Sequence, residues 1–359
     1  MSHATEVFPL AWRFGQATTL YTIRMRTATH TMDAVFDSLA SEWNVLLHAS
    51  TADTPFLTLE WQAAFWHTLG EGVLQVIEMR DAAGALLGLA PLYRVERDGK
   101  RMLRFIGGVD PSDYLDFIIT CGHEAEVGAA MLDALAADPE WDVLDLYNVP
   151  ETSPTRVWLP STAAARGWTL TDERQVVSPL LPLPDSFEAY LESLDSKERR
   201  EMRRKLRRAD ATEGLRWYIV DGEFASELEP EVDAFLDLMV RSRIDKADFM
   251  TPRMRQFFYA GVRAAHRGGW LQLAFLEIEG RKAATYLSFD YGDRLMIYNS
   301  GYEPTAFLSL SPGIVLIARL IQQAIQKRKH AVDFMRGAED YKYRLGARDT
   351  WIHHLHVER

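Results

Sequence analysis

Cysteine is almost missing from this sequence: Cys121 is the only one in 359 residues, which excludes an internal disulfide and any cysteine-based metal cluster. Long apolar runs are missing as well. The longest, such as "IVLIA" before Arg319, fall far short of the ~18 to 20 residues a bilayer-crossing helix needs, and no basic stretch followed by an apolar one opens the chain. The expectation is a cytoplasmic protein without a membrane span. Basic charge is in deficit, 40 Lys and Arg against 51 Asp and Glu, so the net charge of −11 argues against general coating of nucleic acid. No Ser-His-Asp or Cys-His arrangement is legible, which disfavours a covalent enzyme intermediate.

What is present is a plan used twice. Thr54-Pro55 and Thr251-Pro252 each suit a helix N-cap and first turn, and each is followed twenty residues later by Leu-Gln, at Leu74-Gln75 and Leu271-Gln272. After each Leu-Gln comes a three-strand meander. The first runs "LQVIEMR", "ALLGLAPLYRVE", "RMLRFIG"; the second runs "LQLAFLEIE", "AATYLSFDY", "RLMIYNSGY". A helix then precedes a strand holding an acid between apolar residues, Asp145 in "VLDLY" and Asp333 in "AVDFM". Each half also opens with a strand, "LYTIRMR" or "LRWYIV", and a helix, at 32–48 or 230–246. The length and this repetition predict two α/β (α+β) domains, 1–181 and 212–359, each a mixed, mostly antiparallel sheet flanked by helices.

Between them, 182–211 holds the one strongly basic strip. Residues 196–210, "SKERREMRRKLRRAD", carry eight Lys or Arg against three acids. Asp195 with Glu198 forms a capping-box pattern, so a helix is expected from Ser196. Met202, Leu206 and Ala209 form a narrow apolar seam, while Arg200, Arg203, Arg204 and Arg207 share another face. That face is either a solvated linker surface or an anion cradle, for which the planar guanidinium fork suits phosphate.

The strand and helix order is what a GNAT acyltransferase domain looks like. "SPGIVLIARLIQQAIQKRKHAVDFMRGAEDYKYRLGAR" resembles the signature of the bacterial CelD-like group, cellulose-biosynthesis acetyltransferases related to the Fem-type aminoacyltransferases, and "GGVDPSDYLDFII" and "WDVLDLYNVPETSP" look like that group too. The resemblance covers the chain from about Thr54 onward, most specifically in "VDFMRGAEDYKYRLGA". It implies tandem GNAT-like domains, and transfer of an acyl or aminoacyl group to an amine or hydroxyl of an envelope or exopolysaccharide precursor such as a sugar nucleotide. The donor it implies is acetyl-CoA or another acyl-CoA; Fem-type relatives use aminoacyl-tRNA instead. It also implies a phosphate-bearing acceptor held between the domains. The alternative is a catalytically inactive GNAT-like scaffold that binds a nucleotide or protein partner; a third reading is a tRNA-binding factor working through the Arg helix.

The GNAT pyrophosphate fingerprint Q/R-x-x-G-x-G/A is absent. In its place "LSLSPGIVLI" sets Ser311 at N-cap, Pro312 at N1 and Gly313 at N2, with Ile314 next, a helix start whose free N–H groups and dipole favour an anion as well as ordinary capping. The resemblance marks Lys342 in "EDYKYR" as stabilising charge near the transferred group, with Tyr341 beside it on the substrate; a surface lysine paired with Glu339 or Asp340 reads the same letters. Asp333 suits a proton acceptor or a structural acid. Tyr298 and Tyr302 lie where GNAT enzymes put a general acid, and strand parity sets them on one face with Ser300. Asp113 and Tyr114 in "DPSDYLD" suit acceptor contacts, or simply turn chemistry. In the terminal "WIHHLHVER", His354 and His356 share a face without a cysteine or helical acid pair, so an edge strand and no metal is expected.

Overall fold

The computed structural model describes residues 25–220 and 228–359. The strands are β1 (Arg26–His30), β2 (Val73–Arg80), β3 (Leu86–Arg97), β4 (Lys100–Phe105), β5 (Ile118–Ile119), β6 (Val143–Pro150), β7 (Thr169–Val177), β8 (Leu180–Pro182), β9 (Leu215–Val220), β10 (Leu271–Ile278), β11 (Arg281–Tyr291), β12 (Arg294–Tyr302), β13 (Ala331–Asp333) and β14 (Trp351–Glu358). The helices are α1 (Ala34–Ser38), α2 (Trp43–His48), α3 (Leu59–Leu69), α4 (Glu124–Ala137), α5 (Thr155–Ala164), α6 (Phe187–Ser193), α7 (Ser196–Asp210), α8 (Leu228–Ser242), α9 (Ile244–Phe249), α10 (Pro252–Arg267), α11 (Pro312–Gln326) and α12 (Asp340–Arg344). Most of the opening strand expected at 20–26 lies outside the described residues, and β1 begins at its last residue.

Both meanders form. One tight hairpin in each is closed by a pair with positive φ at both residues, Asp98-Gly99 and Glu279-Gly280, the geometry that matches strand twist. The sheets repeat one order: β1-β2-β3-β4-β6-β14-β7, with β5 on β3, and β9-β10-β11-β12-β13-β8. In each, the third strand of the meander pairs in parallel with the acid-bearing strand, β4 with β6 and β12 with β13.

The halves exchange their last strands. β14, expected at an edge of the second domain, lies inside the first sheet, antiparallel to both β6 and β7. In return β8 covers the free edge of β13, and paired backbone at Leu180 and Arg348 carries the ribbon from one sheet to the other. The repeated helices α3 and α10 pack on each other, with Trp61 edge-on to Phe257 at 5.2 Å and to Phe289 at 5.4 Å. Gly261 eases this close approach, since a Cβ would come within 3.1 Å of the Trp61 ring, tighter than an ordinary contact.

Segment 182–211, expected as a linker, is part of the second core. Tyr190, Leu191, Leu194, Met202, Leu206 and Ala209 are buried with Val315, Leu316 and Leu320 of α11. Helix α7 does begin at Ser196, but the capping box does not form: Asp195 makes no side-chain cap, and Glu198 pairs with Arg344 at 3.0 Å. Both helices expected as single are split, 32–48 into α1 and α2, and 230–246 into α8 and α9 at the extended Arg243. By length and composition, Leu308–Gln326 is a helical stretch apolar enough to cross a membrane, with mean hydropathy 1.4; nine residues of its α11 portion are buried in the protein core instead.

Candidate functional site

The second sheet opens where β12 and the chain after β13 part. Leu287 pairs with Asn299 and Ser288 with Ile297, so Tyr298 is an extra residue, a β-bulge. The bulge breaks the expected parity. Tyr298 packs against Phe56, Trp61 and Phe289 and donates to Pro111 O at 2.7 Å, whereas Ser300 and Tyr302 pair with Tyr286 and Ala284 on the other face. Tyr298 is therefore an interface tyrosine rather than a general acid, and burial pushes its hydroxyl pKa well up. Tyr302 stays 40% exposed at the strand end.

The loop after β12 leads to α11 through Phe307 and Ser311, both in the left-handed region. That backbone turns the Ser311 hydroxyl away from capping; it receives a hydrogen bond from Lys205 Nζ at 2.6 Å. Arg208 Nη1 donates to Ser309 O at 2.8 Å. Val315 N–H is satisfied by Ser311 O, and a Cβ built on Gly313 meets no heavy atom within 4 Å. The start of α11 thus has open space over Gly313 and two cations from α7 beside the loop that precedes it, and with the free N–H groups of a helix N-terminus this arrangement suits the phosphates of a donor. Lys205 and Arg208, three apart and one step round α7 from Arg200, Arg203, Arg204 and Arg207, are the cations that reach the loop before α11.

The four chosen arginines do not form one cradle. Arg203 is paired with Glu188 and Glu192 of α6, and Arg204 with Glu201 at 2.7 Å. Arg200 and Arg207 are exposed, with no ion pair among the described residues.

Two lysines lie at the opening of the sheet, Lys342 buried and Lys246 half-buried, and their partners differ. Lys342, only 2% exposed, donates to the carbonyls of Met335, Arg336 and Gly337 at 3.1, 3.0 and 3.0 Å, with Glu339 Oε2 2.9 Å away. Three carbonyls use all three ammonium protons, so this lysine holds the irregular turn after β13 and has no donor left for a substrate. Among the described residues Lys246 on α9 has two hydrogen-bond partners, Asn299 Oδ1 at 2.9 Å and Ser300 O at 2.5 Å. Burial, assisted by Arg243, pulls its pKa from 10.5 down to about 8, against the opposing pull of Glu339 and Asp245. The Arg243 break aims α9 at β12, and Gly301 lets α8 cross that strand in backbone contact: a Cβ there would sit 2.4 Å from Met239 N. Nothing in "RIDKADF" marks Lys246 from sequence, because its role depends on that crossing.

Of the remaining expected residues, Asp333, Tyr114 and Asp113 tie the domains together. Asp333, 1% exposed, accepts from Tyr114 at 2.9 and 2.8 Å and from Met335 N–H at 3.0 Å, and burial raises its pKa. Asp113 receives Arg336 Nε at 2.5 Å, while the same guanidinium reaches Asn148 Oδ1 and Asp110 O. Tyr341 packs edge-on against Phe334. Tyr114 and Asp333 line an interdomain cavity of about 350 Å³ with Asp53, Glu151, Arg294 and Trp351. It lies at the start of β12, about 25 Å along the strand from the loop before α11.

Residues 196–343 match the family model described as an acetyltransferase (GNAT) domain. Among solved structures, FemX superposes with a TM-score of 0.63 at 12% identity, covering 88% of this chain and 95% of its own. The C-terminal domain of a putative lysylphosphatidylglycerol synthetase from Agrobacterium fabrum gives 0.55 at 11% identity, covering 91% and 92%. L-PGS from Bacillus licheniformis gives 0.54 at 11%, covering 89% and 91%. No curated protein matches the chain. At such identities the likeness is one of fold: the molecule is a pair of GNAT-like domains with mixed sheets flanked by helices. The domain match and the fold support an acyltransferase, with no bearing on the CelD-like subgroup or on cellulose biosynthesis.

Proposed function

We propose that the protein transfers an acyl or aminoacyl group from a phosphate-bearing donor, held at the start of α11, to an amine or hydroxyl of a cell-envelope or exopolysaccharide precursor in the cytoplasm. The observation that carries this is Lys246. A neutral amine has two N–H donors and one lone pair; Asn299 Oδ1 and Ser300 O take the two donors, which leaves the lone pair free to accept the proton of an attacking amine or hydroxyl. Lys342, matched by three carbonyls, stays a structural cation beside it. Tyr302, 40% exposed at the end of the strand that carries Asn299 and Ser300, is the acid for the leaving group in this reading.

The donor supplies an activated carbonyl. Gly313 and Ile314 N–H groups, Lys205 and Arg208 hold its phosphates, as the open space over Gly313 permits. Acetyl-CoA or another acyl-CoA fits that set. A fold relative named for lysylphosphatidylglycerol synthesis favours an aminoacyl group, and so keeps aminoacyl-tRNA as the second donor. The phosphate-bearing acceptor is an expectation from the Fem-type resemblance alone. The inactive-scaffold alternative draws on the structural engagement of Lys342, Tyr298 and Asp333.

Calorimetric titration with coenzyme A tests the donor. Binding is expected, weakened at least tenfold by Gly313→Leu and by Lys205→Glu with Arg208→Glu. If coenzyme A does not bind and no amino acid is transferred from aminoacyl-tRNA, the proposal fails and the scaffold reading stands.

A further inference from the structure

The terminal histidines acquire in the fold the acid partner that their sequence neighbourhood lacks. β14 pairs with β6 so that His356 lies directly across from Asp145. Asp145 is 3% exposed, and its two oxygens do different things. Oδ2 accepts from Arg104 Nε at 2.8 Å, with Nη2 2.7 Å away. Oδ1 faces the histidines, 2.7 Å from His354 Nε2 and 3.5 Å from His356 Nδ1. The three atoms all lie within 4.8 Å of one another.

We propose that Asp145, His354 and His356 form a divalent-metal site of the Zn²⁺ class on the first domain, apart from the transfer site. Metal–ligand bonds of about 2.0 to 2.2 Å in a tetrahedron put ligand atoms about 3.3 Å apart, and the observed 2.7 and 3.5 Å bracket that spacing. Two imidazoles and one carboxylate are a borderline N/O set, suited to Zn²⁺, Co²⁺ or Ni²⁺ rather than to Mg²⁺ or Ca²⁺.

The surroundings fix the three ligands. Arg104 holds the carboxylate by the oxygen that does not face the site, Glu358 Oε1 lies 3.4 Å from the far nitrogen of His356, and Tyr147 stacks on His354 with ring centres 3.9 Å apart at 12°. A bulge in β6, with Asn148 at positive φ, sets Tyr147 opposite His354. The two histidines are 19% and 30% exposed, so a fourth position is open to water and an incoming ion has a route. Asp145 is the counterpart of Asp333 in the repeated plan. Among the described residues of the first domain no helix starts with a Ser-Pro-Gly turn like that of α11, and at this position it carries a ligand set where the second domain carries an interdomain tether.

The test titrates the full chain, stripped with chelator, with Co²⁺ and follows the visible absorption of a four-coordinate complex. One saturable equivalent per chain is expected, displaced by Zn²⁺. His356→Ala and His354→Ala should each weaken binding about 100-fold or more, while His330→Ala, at an exposed histidine elsewhere, should leave it unchanged. His356→Gln serves as a second variant, and unfolding midpoints without metal confirm that the variants fold. No saturable equivalent, or binding kept when both histidines are replaced, overturns the site.

Discussion

If Lys246 takes the acceptor's proton, activity must follow its titration. With a pKa of about 8, roughly a tenth of Lys246 is neutral at pH 7, against about 0.03% for a lysine at 10.5, so burial raises the reactive form roughly 300-fold. Below pH 8 log kcat/KM should therefore rise with unit slope and level off above it, a gain of about tenfold from pH 7 to 9. Lys246→Met should lower kcat/KM by about 10² to 10³ and flatten the profile. Lys246→Arg is the sharper test, because it keeps the charge but cannot lose a proton in this range; it should be as inactive as the Met variant. The neighbours should tune the midpoint in opposite directions. Arg243→Gln removes a cation and moves it up, and Glu339→Gln removes an anion and moves it down, each by a few tenths of a pH unit because both groups reach solvent. Stability supplies an independent reading. Between pH 8 and 10.5 the unfolded chain still holds the proton that folded Lys246 has lost, so stability should rise across that window, by up to ~3 kcal/mol, and should not in Lys246→Met. An unchanged pH–rate profile in Lys246→Arg, measured by initial rates, refutes the assignment.

Lys342→Met should act on stability rather than chemistry: it strands the carbonyls of Met335, Arg336 and Gly337, and denaturant unfolding should show a loss of about 3 kcal/mol with kcat of the folded protein within about threefold. Arg336→Ala removes the bonds to Asp113, Asn148 and Asp110 and leaves a buried carboxylate unpaired, so a loss of about 3 kcal/mol is expected in the same assay. Arg203→Glu with Arg207→Glu should leave coenzyme A affinity within twofold, unlike the reversal of Lys205 and Arg208, since Arg203 is spent on α6 and Arg207 faces solvent.

The sequence by itself determined the local elements and their repetition. Alternation and turn residues give both meanders, Thr-Pro marks α10, and the apolar seam of α7 is buried as expected, because these signals act between residues a few positions apart. It also marked the Ser311-Pro312 helix start of α11 and singled out Asp333, Lys342, Tyr298, Asp113 and Tyr114 as candidate site residues, all of which are buried or half-buried and partnered in the fold. Their partners were not legible. Arg336 meets Asp113 across 223 positions and Tyr114 meets Asp333 across 219, so the segment most specific to the family resemblance is largely the joint between two domains. Only the tertiary structure decided the strand exchange that puts β14 beside Asp145, the face of α7 that reaches Ser311, and the crossing that carries Lys246 to a bulged strand. Each depends on which sheet edge or helix face is left to be covered after the local elements have formed, and neither periodicity nor spacing records that choice.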